Sequence, residues 1–416
     1  MKKLYLPLAL LLFISLMSPQ RVMAADYTDR FFQVQSIDTM KYSRDRARNE
    51  VTDVVRLDID QQIGRIAATG ATHIAVATPY DEEFVPYMKM WVDMARAHGL
   101  HVWFRGNFAG WEKWFDYPKI DRETHTKNVI QFINAHPDLF QDGDIFTSCP
   151  ECENGGPGDP RQNGDVDGHR QFLIHEYQEV KKAFARINKH VTANYYSMNG
   201  DVARLVMDRD TTAALDGIVT VDHYVASPDK LVADLKEMAT ESGGKIVLGE
   251  FGAPIPDIHG DMTQTEQADW VERAYDQLYK MPEIAAVNYW VDRDGSSSAW
   301  SLDGTPRKVA DVITKYYKPS VLRGTVKDQL DHALDNVTVN VGGREVKTVN
   351  GTYAIPFLEG KSVKFSKDGY ISTIVSIPTA ENGVSHKDII LQPRSPSFLY
   401  NMYISIRDFI RNLLER

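Results

Sequence analysis

The stretch Thr72 to Arg105 reads THIAVATPYDEEFVPYMKMWVDMARAHGLHVWFR. Two short apolar runs, Thr72–Ala77 and Leu100–Arg105, enclose Phe84–His98, where Val85, Met88, Val92 and Ala95 recur at spacings of three and four. That period is an amphipathic helix laid on a sheet, and Gly99 is its stop signal. A strand, a helix and a second strand in this order make the strands parallel. The rhythm continues on both sides. Strands are expected at Phe32–Ile37, Asp144–Ser148, His190–Tyr195, Gly217–Val221, Lys245–Gly249 and Ala285–Trp290, and further helices at His169–Ile187, Lys230–Ser242 and Glu266–Tyr279. Eight such units between residues 25 and 319 fit a closed (β/α)₈ TIM barrel of the α/β class. An open doubly wound sheet is the competitor, but no Gly-rich phosphate loop follows an early strand, so its dinucleotide-binding version has no support.

Beyond Lys318-Pro319 the helical period disappears. Residues 320–392 alternate apolar and polar positions in short runs, Val337–Val341, Thr352–Ile355, Lys361–Phe365 and Ile371–Ile377, broken by Gly342-Gly343 and Asp368-Gly369. This predicts a small all-β sandwich. Residues 393–416 then gather Phe398, Met402, Ile406, Phe409 and Leu413 on one helical face, beside Arg394, Arg407, Arg411 and Arg416. The plain expectation is docking on the body; the alternative is peripheral contact with a membrane or cell surface. At the other end, Lys2 and Lys3 precede the apolar run Leu4–Met17, and Val22-Met23-Ala24 suits signal-peptidase cleavage, so residues 1–24 read as a secretory leader and the chain as secreted. The formal net charge of −10 becomes −13 without Lys2, Lys3 and Arg21. An acidic chain repels phosphate backbones, so nucleic acid is not an expected partner.

In a barrel the chemistry lies where strands end. The fourth strand runs into Cys149-Pro150-Glu151-Cys152-Glu153-Asn154, and the seventh ends Gly249-Glu250-Phe251-Gly252. These ends face one cup from opposite sides. Two carboxylates about 5 Å apart there can act as nucleophile and proton donor on a glycosidic bond. Around them fall Arg105, whose charge favours an ionised carboxylate, Asn107, and His223 and Tyr224 after the sixth strand. Trp111, Trp114, Trp290 and Trp300 also fall in strand-end positions, and indole faces suit sugar rings.

These residues together resemble the clan A retaining glycoside hydrolases, over about residues 26–318. The resemblance implies that Glu151 is the acid/base and Glu250 the nucleophile, that Tyr224 contacts the nucleophile, that Trp290 lies under the reactive sugar, and that Arg105 is the active-site arginine. The clan's Asn-Glu pair is here Pro150-Glu151. Either Asn154 or Asn107 takes the asparagine's role, or the acid is Glu153. Val321–Val326, Thr348–Ile355 and Lys367–Tyr370 resemble carboxypeptidase-regulatory-like, transthyretin-type sandwiches, which are usually accessory.

Cys149 and Cys152 are expected to form a local disulfide, with free thiols, a redox pair or half a zinc site as the alternatives; His169 and His175 are the histidines that leave zinc open. Asn163–Gly168 resembles the first half of a calcium loop, but Ile174 stands where its last carboxylate belongs, so any calcium would be structural. No cofactor is required. The expected activity is hydrolysis of a poly- or oligosaccharide. Its rivals are a non-catalytic carbohydrate-binding or cell-surface barrel, and a metal-dependent hydrolase for which only His73 and His223 lie near strand ends.

Overall fold

The computed structural model describes residues 29–49, 51–156, 158–358, 362–395 and 398–414, so the expected leader lies outside the described residues. Eight strands form one sheet: β1 Val34–Asp38, β2 His73–Val76, β3 His101–Phe104, β4 Ile145–Phe146, β5 Ser197–Asn199, β6 Ile218–Asp222, β7 Lys245–Phe251 and β8 Ile284–Tyr289. Their order is β4-β3-β2-β1-β8-β7-β6-β5, with every pair parallel. The two ends meet where Ile145 bridges Thr192 and the Phe146 amide donates to the Thr192 carbonyl at 2.8 Å. The chain is a (β/α)₈ barrel.

The fifth strand departs from the sequence reading of His190–Tyr195. Thr192 serves β4, whereas the pairing with β6 begins at Ser197. Between them Asn194 turns its amide to the Leu215 carbonyl, 2.8 Å away, and the Tyr195 carbonyl accepts from the Thr147 hydroxyl at 2.7 Å. Side chains there take over ladder bonds, so one apolar run is divided between two neighbours.

Helices cover the outside of the sheet, among them Val85–Ala97, Val166–Arg186, Pro228–Ser242 and Gln264–Leu278. Their ends follow local chemistry. Ser227 accepts from the Lys230 amide with Pro228 in the first turn, and Thr263 and Glu266 form a reciprocal capping box. Gly243 closes Pro228–Ser242 in the left-handed conformation, at φ 69°.

Inside the barrel the layers differ. Val34, Ala75, Trp103, Ile145, Tyr195, Val247 and Ala286 fill the level nearer the strand starts. Nearer the strand ends the inward residues become Asp38, Arg105, Ser197, Asp222 and Asn288, all buried. An apolar floor thus carries a polar layer at the mouth.

After the helix Lys308–Tyr317 come β9 Ser320–Asp328, β10 Thr338–Val341, β11 Arg344–Lys347, β12 Thr352–Phe357, β13 Ser362–Ser366, β14 Thr373–Ser376, β15 Val384–His386 and β16 Ile389–Leu391. One antiparallel sheet has the order β11-β10-β13-β14; the other centres on β9, flanked by β12 and by the parallel β15 and β16. Leu322, Val339, Ile355, Val363, Phe365 and Leu391 are buried between them. The β-rich part meets the barrel at the end where strands begin: the Arg344 guanidinium donates to the Tyr279 carbonyl, which precedes β8, at 3.0 Å. The mouth faces the opposite way.

Candidate active site

Strand β7 sets the site through a bulge. Val221 is level with Leu248, yet Asp222 is level with Glu250, and toward β8 Leu248 pairs with Val287 while Phe251 pairs with Tyr289. One extra residue sits at Gly249–Glu250. Strict alternation would aim Glu250 outward with Leu248; the bulge re-aims it into the mouth. Gly249 has to be glycine here, because a Cβ would collide with Asp222 Oδ1 and stand 2.9 Å from Ser197 Cβ.

Glu250 is held on both oxygens. Arg105 Nη1 donates to Oε1 at 3.0 Å and the Tyr224 hydroxyl to Oε2 at 2.8 Å. Arg105, fully buried, is shared: Nη1 also donates to Asp38 Oδ2 at 2.9 Å and to the Gly249 carbonyl at 2.8 Å, and Nη2 reaches both oxygens of Asp222 at 3.0 and 3.2 Å. Asn288 Nδ2 adds bonds to Asp38 Oδ2 and the Gly249 carbonyl. One guanidinium therefore faces three carboxylates. Burial and then the charge of Asp222 push the Glu250 carboxyl up, and burial, opposed by Arg105, leaves Asp222 raised as well.

Across the mouth, Glu151 lies on the loop after β4 with φ 47°, a left-handed backbone uncommon outside glycine. Its amide donates to the Ser197 carbonyl at 2.8 Å, and Asn154 Nδ2 donates to Oε2 at 2.9 Å. Its carboxyl is raised by burial and then by the charge of Glu250. Glu250 receives two donors that favour its anion, whereas Glu151 receives one amide. Glu153 is buried beside it, but its Oε1 is taken by the Asn199 amide at 2.8 Å and side chain at 3.0 Å. The loop is closed by a Cys149–Cys152 disulfide, the pairing expected rather than its alternatives.

Several expected contacts lie elsewhere. Trp111 is only 1% exposed, stacked on Phe172 at 5.5 Å beneath the loop, and Gly155 and Gly156 cover its ring. It supports the loop and has no face for a sugar. Trp300, 5% exposed, is buried in the strand-eight loop. His223 turns outward to Asp234 at 2.9 Å, because Asp222 and Tyr224 on either side point in. Asn107 is buried, its Oδ1 occupied by the Phe108 amide and by His125 Nε2 at 2.9 Å; His125 continues to Glu176 at 2.7 Å. Asn154 is exposed beside Glu151, and Trp290 stands half-buried, edge-on to Tyr224 at 6.0 Å. Trp114 lies half-buried under the Arg44 guanidinium at 4.8 Å.

Sequence reasoning missed Asp38, Asp222, Asn288 and Glu112. Glu112 follows Trp111, and burial and the nearby Glu151 raise its carboxyl to about 8. The alternation that puts Tyr224 inward was the available signal for Asp222. His73 begins its strand and bonds the Gly143 carbonyl at 3.0 Å, away from the mouth. Asp165, in the calcium-like stretch, joins two helices and pairs with Arg122 at 2.9 Å. No group of three metal-ligating side chains occurs among the described residues.

No family model matches the chain, and no curated protein does. Solved structures do. A GH5_18 protein of Streptomyces cattleya, in complex with Manβ1-4GlcNAc, is similar with a TM-score of 0.51 at 12% identity, over 71% of this chain and 84% of that one. A GH5_18 protein of Bifidobacterium longum subsp. longum, in complex with the same disaccharide, gives 0.50 at 12% identity, over 71% and 82%. Beta-glucuronidase 2 of Bacteroides uniformis, covalently bound to a cyclophellitol-6-carboxylate aziridine, gives 0.45 at 12% identity, and the chain spans 44% of its length. At these identities the first two concern the fold: a barrel that glycoside hydrolases also use.

Proposed function

We propose that the chain is an exported retaining β-glycosidase that hydrolyses O-glycosidic bonds of a poly- or oligosaccharide by double displacement. The observation that carries this is the pairing of Glu250, held by Arg105 and Tyr224 at the end of β7, with a carboxyl after β4 whose proton affinity is raised by burial and then by the charge of Glu250. Glu250 Oε attacks the anomeric carbon while the Glu151 proton passes to the departing glycosidic oxygen. The C–O bond breaks and a glycosyl ester forms on Glu250. Glu151, now a carboxylate, takes a proton from water, whose oxygen displaces Glu250 from the anomeric carbon. Arg105 supplies positive charge and Tyr224 a hydrogen bond to the Glu250 carboxylate as it leaves, and Trp290 offers an apolar wall to the sugar.

The leader-like residues 1–24 support export. The test is a panel of aryl β-glycosides and polysaccharides, with the first-formed anomer read by proton NMR and with trapping by a 2-deoxy-2-fluoro glycoside of whichever sugar is accepted. Retained configuration and an adduct on Glu250 are expected. Inversion, or an adduct on another residue, sinks the mechanism; no turnover across the panel favours a binding barrel.

A further inference from the structure

Phe398–Leu414 is one helix. Met402, Ile406, Phe409, Ile410, Leu413 and Leu414 fall on one stripe of it, and all are exposed, Phe409 to 68% and Leu414 to 80%. The helix meets the β-rich part through a polar group, the Arg407 guanidinium donating to the Gln329 carbonyl. A soluble surface rarely leaves such a stripe bare.

Charge indicates what covers it. Residues 393–416 carry four arginines against Asp408 and Glu415, a net +2, on a chain whose total is −10. A second copy packed helix on helix would bring like charge against like in both the helices and the bodies. An anionic surface matches the helix alone. Seventeen residues rise about 25 Å, and Arg407, Asp408 and Arg411 interrupt them, so the helix cannot span a bilayer; no described helix is long and apolar enough to cross one.

We propose that helix 398–414 is an in-plane anchor that lays its apolar stripe into an anionic lipid surface, drawn there by the net positive charge of residues 393–416. The β-rich part joins the barrel at the end where strands begin, so an anchored chain turns Glu151 and Glu250 away from the lipid. The anchor itself does not depend on the glycosidase reading.

The experiment is sedimentation of the full chain with phosphatidylcholine vesicles containing phosphatidylglycerol. Binding is expected, weakened about tenfold in pure phosphatidylcholine or in high salt. The double variant Ile406→Glu, Leu413→Glu should lose binding while keeping its circular dichroism and melting temperature, since both residues are exposed. No binding to the anionic vesicles overturns the proposal, as does equal binding by wild type and variant. A dimer that the variant abolishes, without vesicle binding, assigns the stripe to a second copy and also overturns it.

Discussion

The two ends that supply the glutamates are built in opposite ways. Glu250 lies within a strand, re-aimed by a bulge, with both oxygens bonded and its supporting arginine buried in the barrel. Glu151 lies on a loop, in a left-handed backbone, stapled by a disulfide between Cys149 and Cys152 and bonded by one exposed amide. A nucleophile has to meet one carbon along one line, and rigid packing suits it. A group that gives and later takes a proton must change charge, and fewer fixed donors suit that. The difference teaches that the sheet holds its carboxylate in fixed geometry, whereas the loop leaves its carboxyl with fewer fixed donors.

The largest effect should come from breaking the rigid side chemically. Glu250→Gln is expected to reduce turnover by ~10⁴-fold or more, measured with an activated aryl glycoside. The same variant should melt higher than wild type at pH 8 and much less so at pH 5. The sign follows from its raised carboxyl: stability present below the ordinary value of 4.5 is lost as pH rises through the raised one, and glutamine does not ionise. A lower melting temperature at pH 8 would contradict the charge argument.

Gly249→Ala attacks the same side mechanically. The new Cβ collides with Asp222, so a loss of about 1–3 kcal/mol in denaturant unfolding is expected. A neutral result would show that the bulge has room. Asp222→Asn leaves the packing and removes one of three negative charges around Arg105. The acidic limb of kcat/KM should move to lower pH by about one unit, because Glu250 then ionises more readily. An unmoved limb would uncouple Asp222 from Glu250. The smallest effect belongs to the loop: Asn154→Ala removes one exposed hydrogen bond to Glu151 and should cost about 1 kcal/mol, about fivefold in kcat. A loss as large as that of Glu250→Gln would erase the contrast between the two ends.

Much of this was legible beforehand. The strand-helix rhythm places the eight strands, apart from the fifth, whose run the barrel divides between β4 and β6. Glu250, Tyr224 and Arg105 were readable as polar residues at strand ends. Trp111 and Trp300 were misread because an indole in a strand-end loop has the same sequence signature whether it lines a cleft or underpins it. Asp222 and His223 were distinguishable by alternation alone, since neighbours in a strand face opposite ways. The hub around Arg105 was not, because Asp38, Arg105, Asp222 and Asn288 come from four strands.

By itself, the sequence determined the barrel, the β-rich part after it and the strand ends that bear acids, because hydrophobic period and turn residues are local properties. Tertiary structure alone decided which acids share a guanidinium, that Glu250 faces inward, and that Trp111 is a support. Those depend on strand register and on charges brought together in a desolvated interior, where position across the barrel, not order along the chain, sets the interaction.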